Sequence, residues 1–125
     1  IRARLHFVQY PALRNEVRAG RAPLSFQAWG SFSVNDASAF VGNFFKGGPD
    51  DTAKDPTTIA LVQTADATVE AKPRQGKYAQ ALQRISEKAM WAPLFTYSTN
   101  YAFSSDLKFE AQPDELPRFF MASWK

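Results

Sequence analysis

The chain carries few side chains whose type and spacing are typical of catalysis or metal binding. His6 is the only histidine and cysteine is absent, which excludes disulfides and zinc–thiolate sites. A Ser-His-Asp triad would need His6 itself, and no nucleophile-elbow motif occurs. Asp50, Asp51 and Asp55 cluster, but without the ligand pattern and glycine of a calcium loop. We therefore expect a protein that is not an enzyme, with no metal and no cofactor, and we interpret His6 as a surface residue.

A short β-prone run ending in Trp29 and Gly30 is the best candidate for binding. Small and polar residues follow it, before an apolar segment that begins at Ala37. In open α/β sheets, ligands lie just outside the carboxyl ends of the strands. A tryptophan and a glycine at such an end therefore suit a binding position. The alternative is that Trp29 is a core aromatic residue, the commoner role of buried rings.

Composition predicts one folded domain. The chain has 125 residues, of which 45% are hydrophobic and 22% charged, and 11 are phenylalanine. The formal net charge is +3, and Glu16 is the only acid in an opening segment with five arginines: Arg2, Arg4, Arg14, Arg18 and Arg21. Such a cluster is one mark of nucleic-acid binding, but no phosphate loop, RNP-like motif or finger accompanies it. A solvated face is the favoured interpretation.

The first thirty residues predict a strand, a helix and a second strand. Residues 1–8 alternate, with Ala3, Leu5 and Phe7 on one side, as in a half-buried strand. Pro11 suits the first turn of a helix over residues 12–19, and Gly20 suits its end. Residues 24–29 form the second predicted strand. This order predicts a right-handed βαβ unit with parallel strands.

Three further helices are predicted before residue 90. Asp36 caps the first, over residues 37–45, and Asp55-Pro56 begins the second, which continues to about residue 71. The third runs from Lys72-Pro73 through residue 89. Their apolar positions share one face of each helix and are, in chain order, Phe40, Val41, Phe44 and Phe45; Ile59, Val62 and Val69; and Tyr78, Leu82, Ile85 and Ala89.

The last third of the chain predicts short strands and one short helix. Residues 91–97 and 101–103 are aromatic and β-prone, with a turn between them, and residues 116–124 suit a terminal helix with Pro117 near its start. No apolar run reaches the length of a membrane span. Because the chain begins at Ile1 and shows no signal-peptide pattern, we expect it to be part of a longer protein. The expected fold class is α/β.

Residues 78–95 (YAQALQRISEKAMWAPLF) carry a resemblance to a known family. They look like the C-terminal portion of the family-5 bacterial extracellular solute-binding proteins, which serve peptide, opine and nickel ABC transporters. There a helix of this kind runs into W-x-P-L-Y/F and a returning strand. Further matching motifs lie in the family's order at residues 10–20 (YPALRNEVRAG), 28–30 (AWG), 101–103 (YAF), 106–108 (DLK), 116–120 (LPRFF) and 123–125 (SWK).

The resemblance implies a fragment of a two-lobed periplasmic protein of the type II periplasmic-binding-protein-like fold. Residues 1–92 would belong to the second lobe, and residues 93–125 would return toward the first lobe, most of which is missing. The implied partners are a small solute, such as an oligopeptide or an opine, and an ABC permease in the membrane, with no nucleic acid. An uncovered lobe surface would also favour dimerisation of the fragment.

The resemblance places the ligand site at Trp29, Gly30, Ser31 and Phe32. In peptide-binding members, Trp-x-x-Asp sets a carboxylate against the ligand's α-amino group, a charge-assisted pair that is strong in a closed cleft. Here Phe32 occupies the position of the acid. A phenylalanine offers an apolar wall or a ring that stacks on a cation, which argues against a peptide ligand. Asp36 suits a helix cap better. A small basic nucleic-acid-binding α/β domain is the alternative.

Overall fold

Four α-helices and a two-stranded antiparallel sheet form the regular structure of the described residues. A computed structural model describes residues 2–30, 34, 36–112 and 116–125. The elements are α1 (Tyr10–Arg18), α2 (Ser38–Phe44), α3 (Pro56–Ala67), α4 (Ala71–Glu87), β1 (Leu107–Lys108), a 3₁₀ helix (Phe119–Met121) and β2 (Ser123–Trp124). The chain is therefore a small domain of mixed helix and strand content. In this part of the chain, no helix has the length and apolar character needed to cross a membrane.

The first helix covers Tyr10–Arg18, so it begins two residues before the predicted range of 12–19 and ends one residue before it. Pro11 lies in its first turn, where the missing N–H leaves no hydrogen bond unmade. Gly20 adopts the left-handed conformation, with φ +69°, just beyond the end. The N–H groups of Gly20 and Arg21 donate to the carbonyls of Val17 and Glu16 at 3.0 and 2.9 Å, the pattern of a Schellman motif. The predicted stop at Gly20 is confirmed.

Aspartates stabilise the starts of α2 and α3. Asp36 Oδ1 accepts a hydrogen bond from the Ser38 N–H at 2.8 Å, which confirms its predicted capping role. Asp55 is the N-cap of α3 and accepts from the Thr58 N–H at 2.8 Å, with Pro56 at the first helical position. Between the two helices, Gly47 takes φ +83° and allows the chain to turn.

Helix α3 ends earlier than predicted. It stops at Ala67, and Thr68 has extended backbone angles. Val69, predicted to share the buried face with Val62, is instead 89% exposed in the short connection to α4. In α4 the predicted stripe holds for Tyr78 and Ile85, which are buried. Leu82 is 44% exposed and Ala89 lies beyond the helix end.

The core lies where α2, α3 and α4 meet. Helices α3 and α4 pack along each other, and α2 packs against α3. The buried hydrophobic residues are Val41, Phe44, Phe45, Val62, Ala65, Tyr78, Ala81 and Ile85. Trp29, Phe40, Leu61, Met90 and Trp91 cover the edges of this cluster. The predicted apolar face of α2 is therefore confirmed. Helix α1 contributes no buried residue.

The predicted βαβ unit is wrong for this structure. Residues 2–8 and 24–29 form no strand, and neither do residues 91–97 and 101–103. Leu5 and Phe7, predicted to face a core, are 78% and 88% exposed. A strand is stable only when a neighbour satisfies its N–H and C=O groups, and alternation within one segment does not supply that neighbour.

The sheet that does form lies near the C-terminus. Leu107 pairs with Trp124 and Lys108 with Ser123, so β1 and β2 are antiparallel rather than parallel. The Lys125 N–H extends this pairing by donating to the Asp106 carbonyl at 2.9 Å. Within residues 116–124, the predicted terminal helix is reduced to the single 3₁₀ turn before β2.

Candidate functional site

Trp29 lies at the edge of a cluster of aromatic rings. Its ring is half-buried and meets Phe44 edge-on, with centroids 5.0 Å apart and planes at 85°. This is the favoured geometry of aromatic pairs, in which a ring edge approaches a ring face. Trp29 therefore packs against the core, as the core interpretation predicts, while part of its surface stays accessible to a ligand.

Trp91 is the second large ring at this position, and sequence reasoning did not select it. It contacts Phe44, Phe40 and Phe45 at centroid distances of 4.7, 5.4 and 5.8 Å. Like Trp29, it is half-buried. The five rings of Trp29, Phe40, Phe44, Phe45 and Trp91 are called the aromatic cluster below. The available signal was the aromatic, β-prone run of residues 91–97, which begins with this tryptophan just after the predicted helix.

Gly30 leaves open space beside Trp29. The residue is exposed, and no heavy atom outside its neighbours lies within 4 Å of where a Cβ would stand. A ligand could thus approach the backbone at this point. Ser31 and Phe32, the other two predicted ligand-binding residues, lie outside the described residues. Of the four predicted residues, the structure therefore describes Trp29 and Gly30.

Asp36, the first acid after Trp29, is engaged in two interactions. Besides capping α2, its Oδ1 accepts a hydrogen bond at 2.7 Å from Nη2 of Arg74 on α4. The hydrogen bonds from Arg74 and then Ser38 hold the pKa of Asp36 far below its ordinary value. The carboxylate is therefore ionised at neutral pH, and its charge is balanced within the protein rather than by a ligand.

Three of the opening arginines are also engaged within the chain. Arg18 donates to both carboxylate oxygens of Asp50, at 2.7 and 2.9 Å, and Arg14 donates to the same group. These bonds, led by that of Arg18, lower the pKa of Asp50 to about 2. Arg21 forms a two-bond pair with Glu16, at 2.8 and 2.7 Å. The basic segment therefore presents less unpaired charge than its sequence suggests.

A polar network joins α3 to its neighbours. Tyr78 donates its hydroxyl hydrogen to Asp66, which also accepts from Lys46. Burial, followed by the bond to Asp66, raises the pKa of Tyr78 to about 12. Tyr78 therefore remains a neutral donor at physiological pH. Its guanidinium neighbour Arg74 lies 5.1 Å from the ring centroid and donates to the Ala65 carbonyl at 3.0 Å. The network links α3 to α4 and to Lys46, which follows α2.

The described residues contain no group of three or more His, Asp or Glu side chains arranged to hold a metal ion. His6 is exposed, as its sequence context predicts. Comparison with protein-family models, with curated proteins and with solved structures finds no match.

Proposed function

We propose that this chain is the C-terminal portion of an extracytoplasmic solute-binding protein of the peptide/opine/nickel class. The parent protein would bind a small solute in the periplasm and deliver it to an ABC permease. Residues 1–92 would then belong to its second lobe and residues 93–125 to the segment returning toward the first. Motifs in the family's order along nearly the whole chain, together with the mixed helix and strand content, support this proposal.

The main observation that supports the proposed binding site is the position of Trp29. Phe44 supports one side of its ring, while the neighbouring Gly30 leaves the approach open. Because the ring is already ordered by the core, little side-chain freedom is lost when a ligand packs against it. Ligand pockets are lined largely by apolar and aromatic groups with a few polar ones that fix orientation. Trp29 and Phe32 would supply the apolar surface, and Gly30 and Ser31 the polar backbone and hydroxyl groups.

The hydrogen bonds that Asp36 already makes within the protein argue against a solute that is recognised through its amino group. Its carboxylate is already paired with Arg74 and the Ser38 N–H. Moving it to a ligand amine would leave the Arg74 guanidinium without that partner and remove the cap of α2. With Phe32 at the position of the family's acid, the proposed solute is recognised by apolar contact rather than through a free α-amino group.

Calorimetry on the full-length protein tests this proposal. A thermal-shift screen of opines and of oligopeptides with free or acetylated amino termini supplies the ligands. We expect Phe32→Ala to weaken binding of the best ligand by about tenfold or more, as loss of a buried aromatic contact should, with little change in melting temperature. Leu24→Ala is the matched control, because Leu24 is 90% exposed. A large loss of stability with unaltered affinity would assign Phe32 to the core and refute the site.

The acetylated peptides test the solute class separately. If recognition does not use the α-amino group, acetylation should leave peptide affinity unchanged within about threefold. A loss of affinity of more than about a hundredfold is the order expected when a buried charged partner is left unpaired. Such a loss would show that an acidic residue elsewhere in the protein binds the α-amino group.

Nucleic-acid binding is the alternative, and the ion pairs of Arg14, Arg18 and Arg21 count against it. Binding that rests on several phosphate contacts weakens by orders of magnitude between low and moderate salt. Binding in an apolar cleft changes much less. Tight oligonucleotide binding by the isolated chain with a steep salt dependence would overturn the importer proposal.

A further inference from the structure

Three exposed aromatic rings lie next to one another outside the core. Phe95 contacts Phe26 and Tyr97, with ring centroids 6.1 and 5.5 Å apart. Phe26, Phe95 and Tyr97 are 60%, 66% and 58% exposed, and they are called the ring patch below. Leu94, beside them in the chain, is 68% exposed. The ring patch shares no residue with the aromatic cluster or with positions 29–32.

The core fixes how the two segments that carry these rings approach each other. Trp29 and Trp91 both pack on Phe44, with ring centroids 5.0 and 4.7 Å from that of Phe44. Phe26 precedes the first of these tryptophans by three residues, and Phe95 follows the second by four. Because Phe26 and Phe95 also meet, the two segments run side by side in opposite directions. The ring patch is therefore supported by the core rather than carried on one free loop.

The two segments contain no charged residue, in residues 22–30 or in residues 91–105. In a twofold contact each surface faces a copy of itself, so the surface must be complementary to itself. Like charges placed opposite each other destabilise such a contact. An uncharged surface avoids that repulsion, and it also offers no attraction to nucleic acid or to an anionic lipid surface. The exposed ring of Phe7, by contrast, shares its segment with Arg2 and Arg4.

The exposed area of this surface suits a weak dimer. At about 200 Å² per aromatic side chain, the exposed fractions of the three rings amount to roughly 400 Å². A standard interface takes about 800 Å² from each partner, and smaller ones belong to weak or transient complexes. Leu94 and the rest of residues 92–98, all exposed, add to the area of the rings. We propose that the chain forms a twofold-symmetric dimer in which the ring patch packs on the ring patch of a second copy.

Analytical ultracentrifugation of the 125-residue chain tests the proposal. Between about 1 μM and 1 mM we expect an equilibrium of monomer and dimer. Phe95→Ala should weaken dimerisation by about tenfold or more, because symmetry removes the ring twice from each dimer. Tyr97→Lys should abolish dimerisation over this range, because it brings two cations into one interface. Phe7→Ala is the matched control and should leave dimerisation unchanged, since Phe7 is 88% exposed and lies outside the ring patch.

Sodium sulfate should strengthen the dimer, because it strengthens the burial of apolar surface. A chain that stays monomeric at every concentration would overturn the proposal, and so would assembly that continues beyond the dimer. Equal weakening by Phe95→Ala and Phe7→Ala would show apolar association without a defined surface.

Melting temperatures well below that of the parent chain in both Phe95→Ala and Tyr97→Lys would assign the rings to the fold instead of to an interface. The proposal extends the expected dimerisation of the chain by naming the contact surface and its symmetry. It does not rest on the proposed solute-binding function, because the ring patch lies outside positions 29–32. A monomeric chain would therefore leave the solute site standing, and failure of the Phe32→Ala test would leave the dimer standing.

Discussion

Ala89 offers a sharp test of how α4 ends. It occupies the position that follows the C-cap, with φ +49°, in the left-handed region that disfavours residues with a Cβ. The N–H groups of Ala89 and Met90 donate to the carbonyls of Ser86 and Ile85, both at 3.0 Å, which completes a Schellman motif. Glycine is the usual residue here, as Gly20 is at the end of α1. The motif thus forms despite an unfavourable residue.

We expect Ala89→Gly to stabilise the chain. The left-handed conformation costs a residue with a Cβ roughly 1–2 kcal/mol, and the greater freedom of glycine in the unfolded state offsets about 0.4–1 kcal/mol of that gain. The net increase in the free energy of unfolding is then about 0.5–1 kcal/mol. With an unfolding entropy of roughly 2.1 cal/mol/K per residue, the melting temperature should rise by about 2–4 °C. Ala89 is exposed, so no buried contact is lost.

Thermal and urea unfolding followed by circular dichroism would measure the change. Ala79→Gly is the matched control, since Ala79 is an exposed residue within α4. Glycine in a helix interior should cost about 1 kcal/mol, so the two substitutions should act in opposite directions. If Ala89→Gly destabilised the chain as much as Ala79→Gly, residue 89 would be helical in solution and the proposed end of α4 would be refuted.

Three other measurements probe the ion pairs, caps and core. Arg18 and Arg14 lower the pKa of Asp50 from 3.8 to about 2, so the contribution of Asp50 to stability is present above about pH 4 and is lost as the pH falls toward 2. Asp50→Asn should therefore reduce the loss of stability between about pH 4 and pH 2. If the variant lost as much stability over this range as the parent chain, the pairing of Asp50 with its arginines would be contradicted. Asp55→Ala should lower the melting temperature more than Asp55→Asn, which keeps a capping oxygen, and equal effects would argue against the cap. Phe45→Ala should cost about 3–5 kcal/mol in denaturant unfolding, because Phe45 is 2% exposed, whereas Leu24→Ala should change stability by less than about 0.5 kcal/mol. Similar losses for these two would refute the described core.

Local signals in the sequence predicted the starts of α2 and α3 and the end of α1, although they placed the end of α3 too late. Asp55-Pro56, Gly20 and the Asp36 cap act through hydrogen bonds or backbone angles within a few residues, so the responsible groups are adjacent in the sequence. The buried face of α2 was equally readable, because helical spacing alone places Val41 and Phe44 on one side. At the site, the sequence indicated Trp29 and Gly30 as a binding position, and their role in binding stays a prediction.

Features that join distant parts of the chain were decided by the tertiary structure. The Arg74–Asp36 hydrogen bond spans 38 residues and the Arg84–Asp55 pair spans 29. The sequence around each residue gives no indication of which distant residue it will pair with. The same holds for Trp91 against Phe44, and for the pairing of Leu107 with Trp124 in place of the predicted parallel strands. The alternation of apolar and polar residues in residues 2–8 predicts which side chains would share a face. A strand also needs a second segment whose backbone forms hydrogen bonds with its N–H and C=O groups. Caps and faces depend on neighbours along the chain, whereas sheets, ion pairs and ring contacts depend on which distant segments the fold brings together.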